Sequence, residues 1–172
     1  MKHVFAFDHI GDNKYEERHG LYYDEFETGD VILHRPGRTI TEADNTWMSL
    51  LCHNVHPLHI DCEYAKGTEF GQPVVSSLVS LSIITGMSTH GTSANAVANL
   101  GWDAIRLLRP VFVGDTVYAE TTVAAKRPSA SRPNSGIVTF DTVGKKSDGS
   151  IFIEMRRNAL IPVKPSIDGA SI

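Results

Sequence analysis

Cysteine is scarce in this chain. Cys52 and Cys62 are the only two, and they form no CxxC pair, which gives little support to a disulfide framework or a cysteine zinc site and suits a reducing compartment. Long apolar runs are missing as well. The longest low-charge stretch, Val74 to Met87, is 14 residues and rich in serine, short of the roughly 20 that cross a bilayer. The opening MKHVFAFDHIGDN has one lysine, an apolar run broken by Asp8 and no small-residue cleavage site, so it does not read as a secretory signal. Nor is there an excess of positive charge: 16 Lys and Arg against 20 Asp and Glu leave −4, which argues against nucleic acid as a partner. These absences predict a cytoplasmic protein with neither nucleic acid nor membrane as its partner.

What is present is an ordinary globular composition, 41% apolar and 21% charged, in 172 residues, against about 150 for a typical domain. The reading is one domain over 28–162, an N-terminal arm over 1–27 and a C-terminal tail over 163–172. The arm has Tyr15, Tyr22, Tyr23 and Phe26 scattered among acids with no period, as expected of a segment lying on the domain. Val31 to His34, entered through Thr28-Gly29-Asp30 and bounded by Pro36 and Gly37, suits a strand. Thr41-Glu42-Ala43-Asp44 has the pattern of a helix start, and Trp47, Leu50 and Leu51 follow at helical spacing; that helix should stop before Pro57. Asp61 is placed to cap a second short helix.

From Val74 to Ser88 apolar residues and small serines cover most of the circumference, the pattern of a helix buried nearly all round. Strand patterns follow at 102–108, 116–125, 137–143 and 150–161. In the second of these Val117, Ala119, Thr121 and Val123 alternate with polar neighbours, and the last two meet through Asp148-Gly149. Lys126 to Gly136, with two prolines and three serines, reads as an exposed loop. A buried helix followed by an antiparallel meander predicts an α+β fold, the sheet wrapped around the helix. One such layer leaves a strand edge open, so a homodimer or larger assembly is expected.

The chain has eight histidines, and three of them, His53, His56 and His59, fall within seven residues. Such spacing admits a metal site, solvated loop histidines or an acid/base site. Pro57 breaks the helix that would hold all three on one face, so no metal is expected.

His53-Asn54-Val55-His56-Pro57-Leu58-His59-Ile60-Asp61, then Ala65, Pro73 and a long buried helix, is similar to the hydratase signature GDxNPxHxD of the MaoC-like dehydratases, the (R)-specific enoyl-CoA hydratase group with a hot-dog fold. Pro110-Val111-Phe112-Val113-Gly114-Asp115-Thr116 resembles the turn these proteins place before a long strand. The resemblance covers about residues 28 to 162. Thr41-Glu42-Ala43-Asp44-Asn45 and Asn95-Ala96-Val97-Ala98-Asn99-Leu100-Gly101-Trp102 look most like the mesaconyl-CoA hydratases, also called β-methylmalyl-CoA dehydratases, which usually carry two such domains.

The resemblance implies a hydro-lyase acting on an acyl-CoA, with Asn54 in the place of the family's catalytic aspartate, His59 as the kept histidine and His56 in support. It implies that backbone amides around Ser77, at the start of the buried helix, meet the enolate oxygen. No cofactor is expected beyond the coenzyme A of the substrate. The chemistry can be argued from the residues themselves. Hydrating a conjugated thioester needs a placed water, a base, an acid for the α-carbon and donors for the enolate oxygen. Asn54 can hold the water but cannot take its proton. An amide in that place suits a substrate with its own carboxylate, which an aspartate would repel. Lys126, Arg127 and Arg132, with Arg106 and Arg109 on the preceding segment, are the cations available for coenzyme A phosphates, of which Arg127 and Arg132 are taken as the substrate contacts. A hot-dog thioesterase and a catalytically silent acyl-binding protein stand as alternatives.

Overall fold

A computed structural model describes residues 6–165; residues 1–5 of the expected arm and 166–172 of the expected tail lie outside the described residues. In chain order the elements are β1 (Phe7–Gly11), β2 (Lys14–Glu17), a 3₁₀ turn (Tyr23–Glu25), β3 (Val31–Thr39), α1 (Glu42–Leu51), α2 (Pro57–Ile60), α3 (Cys62–Lys66), α4 (Ser77–Thr92), β4 (Ala98–Leu107), β5 (Thr116–Pro128), β6 (Ser135–Lys146) and β7 (Ile151–Pro162). β3 to β7 form one antiparallel sheet in the order β3-β5-β6-β7-β4. This is the expected α+β arrangement of a curved sheet on a long helix.

The alternation read in β5 is the core itself: Val117, Ala119, Thr121 and Val123 are fully buried. With Phe152, Ile153 and Met155 of β7, Val117 and Ala119 receive Val79, Ile83 and Ile84 of α4, each large apolar side chain contributing roughly 1.5–3 kcal/mol when taken out of water. The helix lies close on the sheet because Gly144 has no side chain. A Cβ there would stand 2.6 Å from Ile153 Cγ2 and 2.9 Å from Ile84 Cγ1.

Several boundaries differ from the sequence reading. α4 starts three residues later than expected, because Val75 N–H donates to Val111 O at 2.8 Å and Val74 bridges Phe112, which holds both valines extended. The helix is covered on one side only: Leu78, Ser82, Gly86 and His90 face outward. Two of its buried hydroxyls bond within the helix, Thr92 Oγ1 donating to Ser88 O and Ser88 Oγ to Thr85 O. The loop expected from Lys126 shrinks, since β5 runs on through Pro128 and β6 begins at Ser135.

α1 is also turned about from its sequence reading. Trp47, Leu50 and Leu51 face outward, Trp47 72% and Leu51 78% exposed, while Asn45 and Ser49 are buried. The inner face of α1 carries Asn45, whose carboxamide bonds the segments around it as described below, and Met48, which packs against the core.

Residues 6–27 carry a hairpin, β1–β2, that their irregular pattern conceals. Arg18 ties the hairpin to the following turn through Asp8 (3.2 Å) and Glu25 (2.6 Å). Leu21 and Phe26 then join Val123, Val138, Phe140, Ala159 and Ile161 in a second core. Lys126, expected on an exposed loop, instead donates to Phe26 O at 2.6 Å and lies over the Tyr23 ring.

Candidate active site

The segment between α1 and α4 is built by successive caps. Thr41 Oγ1 accepts from Asp44 N–H while the Asp44 carboxylate accepts from Thr41 N–H, a reciprocal box that starts α1. α1 ends well before Pro57 because His53 adopts a left-handed conformation, φ +54°. His53 N–H then bonds Leu50 O (3.0 Å) and Asn54 N–H bonds Ser49 O (2.8 Å), a Schellman ending with histidine where glycine is usual. His56 caps α2, its Nδ1 accepting from Leu58 N–H at 3.1 Å, and Pro57 takes the first helical position. Asp61 caps α3 by accepting from Glu63 and Tyr64 N–H, both at 3.0 Å.

Backbone contacts hold the two histidines, in their neutral forms, in opposite tautomers. His59 Nδ1 lies 2.7 Å from Val74 O. A carbonyl oxygen only accepts, so Nδ1 carries a hydrogen, and in the neutral ring Nε2 keeps its lone pair. His56 Nδ1 accepts from an amide, so its hydrogen sits on Nε2. The two rings are 5.7 Å apart between centroids. One ring therefore offers a base and its neighbour a donor. Both Nδ1 atoms are spent on backbone, and among the described residues no group of three His, Cys, Asp or Glu side chains is arranged to hold a metal ion.

His59 opens into a cleft of about 340 Å³ whose walls include Phe70, Val75, Ser77, Leu107, Leu108 and Arg109. Ser77 is the first residue of α4, where amides have no partner in their own helix and the helix dipole is positive. A developing negative oxygen in this cleft would meet that end of the helix. Asn54 stands beside it, its Nδ2 donating to Ser76 Oγ at 3.1 Å and its Oδ1 accepting from His56 N–H at 3.4 Å.

The structure thus brings His59 and Ser77 to one cleft and links Asn54 and His56 to it. It does not bring Arg127 and Arg132 there. The cleft wall at Leu107 pairs with Ile153, which pairs with Gly144, which pairs with Ala119. Arg127 is eight residues further along β5, roughly 25 Å at strand rise, and Arg132 lies in the exposed loop beyond it. Arg109 is the cation that lines the cleft, anchored by donating to Ile151 O at 2.7 Å.

Two residues the sequence reading left without a role prove to be buried and bonded. Asn45 is one, taken up below. His34, read as ordinary, is buried on β3 with Nε2 2.8 Å from Thr121 Oγ1. Burial first, then the positive charges of Arg157 and Arg35, lower its pKa to about 4. Arg157 is itself buried, and its NH2 group donates to Thr92 Oγ1 at 2.8 Å. Burial lowers its pKa from the ordinary arginine value.

Residues 25–145 match the MaoC like domain, and the chain belongs to that family. It is 30% identical over 142 residues to the mesaconyl-CoA hydratase of Cereibacter sphaeroides, a match covering 83% of this chain and 41% of that protein; the chain thus spans less than half the length of that relative. Among solved structures, a monoamine oxidase regulatory protein from Archaeoglobus superposes with a TM-score of 0.76 at 33% identity, over 86% of this chain and 98% of that one. A Mycobacterium tuberculosis protein described as having a double hotdog fold matches with a TM-score of 0.77 at 22% identity, over 88% of this chain and 47% of its own. The fold is therefore a hot dog.

Proposed function

We propose that this protein adds or removes water across the α,β double bond of a short, branched, dicarboxylic enoyl-CoA. The observation that carries the reading is His59: its Nδ1 is committed to Val74 O, leaving Nε2 as a free base in the cleft that begins at the first turn of α4. In the hydration direction Nε2 takes a proton from water as the oxygen bonds to the β-carbon. The thioester oxygen, gaining charge, is met by the Ser77 end of α4. His59 then returns a proton to the α-carbon, so that H and OH have been added and the histidine is neutral again. No cofactor takes part in this scheme.

Two features support the dicarboxylic substrate. Asn54 puts an amide where a carboxylate would repel a second carboxylate. Arg109 supplies a cation to the cleft that His59 lines, within which a substrate carboxylate can pair, whereas a long pantetheine arm carries the coenzyme A phosphates away from the thioester. The name of the Cereibacter relative agrees with both. The unpaired edge of β4, with Leu100, Trp102, Ile105 and Leu107 exposed, supports assembly with a second copy. Cys52 and Cys62, both free and exposed, suit the cytoplasm, and among the described residues no helix is long and apolar enough to cross a membrane.

The test is to mix the protein with crotonyl-CoA and with mesaconyl-CoA and follow enoyl absorbance and free thiol together. Loss of absorbance without thiol is the expected result. Release of thiol would replace the reading with thioester hydrolysis, against which stands the absence of Asp and Glu from α4. No change with either substrate would leave acyl binding alone.

A further inference from the structure

Asn45 is 2% exposed and lies on the inner face of α1. Its side chain makes two hydrogen bonds of opposite sense: Nδ2 donates to His59 O at 2.7 Å, and Oδ1 accepts from Ser76 N–H at 2.9 Å. The first partner is the backbone of the proposed base, and the second is the residue that caps α4. One carboxamide thus spans the two halves of the site, the histidine and the amides awaiting the enolate oxygen.

The bridge belongs to a closed set of links. Val74 N–H donates to Leu58 O at 3.1 Å, and His59 Nδ1 donates to Val74 O at 2.7 Å. Residues 58–59 and 74–76 are therefore laced together directly at Val74 and through Asn45 at Ser76. Asn54 reaches the same serine from another side, through Oγ. Were the Asn45 link cut, Ser76 could move away from His59, and Val74 O would no longer be held where it selects the His59 tautomer.

We propose that Asn45 is a positioning residue: it sets the distance between His59 and the start of α4 and keeps the His59 hydrogen on Nδ1. The role needs a group that donates and accepts at once, so no isosteric side chain fixed in a charged form can serve. An ionised carboxylate would accept from Ser76 N–H but face His59 O with a second acceptor. This inference rests on the proposed acid/base role of His59, and the experiment separates the two.

The variants are Asn45→Asp and Asn45→Ala, assayed for hydration of crotonyl-CoA and mesaconyl-CoA beside wild type and His59→Ala. Both Asn45 variants should lose about 100-fold in kcat, the scale of a reacting group misplaced by about 1 Å, with KM changed less than threefold. The discriminating readout is pH. A protonated carboxyl again donates and accepts, so the ratio of Asn45→Asp to wild-type kcat should rise as pH falls, while the ratio for Asn45→Ala stays flat. ¹⁵N spectra should show His59 protonated at Nδ1 in wild type and a mixture of tautomers in Asn45→Ala. If Asn45→Asp keeps wild-type kcat and a flat ratio, or is unfolded by near-UV circular dichroism at the assay temperature, the positioning role is overturned; in the second case Asn45 serves folding. If His59→Ala is as active as wild type, the acid/base reading of His59 fails instead, whatever the Asn45 variants do.

Discussion

The hydrogen bond from His59 Nδ1 to Val74 O, 2.7 Å long, joins the end of one short helix to the extended residues that precede the long one. It decides which nitrogen of His59 is left to react. A side chain with one ring nitrogen committed to backbone is oriented and poised at the other.

Replacing His59 by alanine should therefore remove at least the roughly 100-fold that general acid/base catalysis typically supplies, with the loss in kcat. Steady-state rates on crotonyl-CoA check this.

Asn54→Asp should divide substrates. Crotonyl-CoA should be hydrated as well as by wild type or better, and mesaconyl-CoA worse, because a new carboxylate would face the substrate's own. Equal effects on both would remove charge repulsion as the reason for asparagine there.

Arg109→Gln should raise KM for mesaconyl-CoA by roughly 10- to 100-fold, the value of a hydrogen bond to a charged group, and leave crotonyl-CoA within about threefold. Equal losses on the two would assign Arg109 to the coenzyme A phosphates.

His34 should make the fold sensitive to mild acid. Its folded pKa, about 4, lies below the ordinary value of 6.5, so between those values the unfolded chain binds a proton that the folded chain refuses. Stability is then fully present above pH 6.5 and falls as pH drops, by about 3 kcal/mol once pH 4 is reached. Urea melts at pH 7.5, 5.5 and 4.5 measure the slope. His34→Gln should flatten it, and an unchanged slope would place the acid sensitivity elsewhere.

Sedimentation at micromolar concentration should show a dimer or larger species, and Ile105→Lys, a charge placed on the β4 edge, should shift it toward monomer. Wild type sedimenting as a monomer would count against the assembly.

Much of the fold was legible because it depends on period and punctuation. The alternation from Val117 to Val123, the Asp148-Gly149 turn and the Thr41 cap all act within a few residues. The orientation of α1 was not legible. Trp47, Leu50 and Leu51 have the spacing of a core face, and only the partners of Asn45, 14 and 31 residues away in sequence, show why the opposite face turns inward. The same holds for the cleft. His59 and Ser77 are readable from the motif, but which cation shares their space depends on β5 running on through Pro128, which carries Arg127 away, and on the residues after β4, which bring Arg109 to the cleft.

Leu107, Leu108 and Arg109 form one wall of the cleft, and Leu107 ends β4, one of the two edge strands of the sheet. A strand that pairs with that edge would brace the wall from behind. Assembly and substrate choice would then be coupled mechanically. The width of the pocket, and the aim of its one lining arginine, would be set by what lies alongside β4, so that a change of neighbour could retune selectivity without altering any residue around His59.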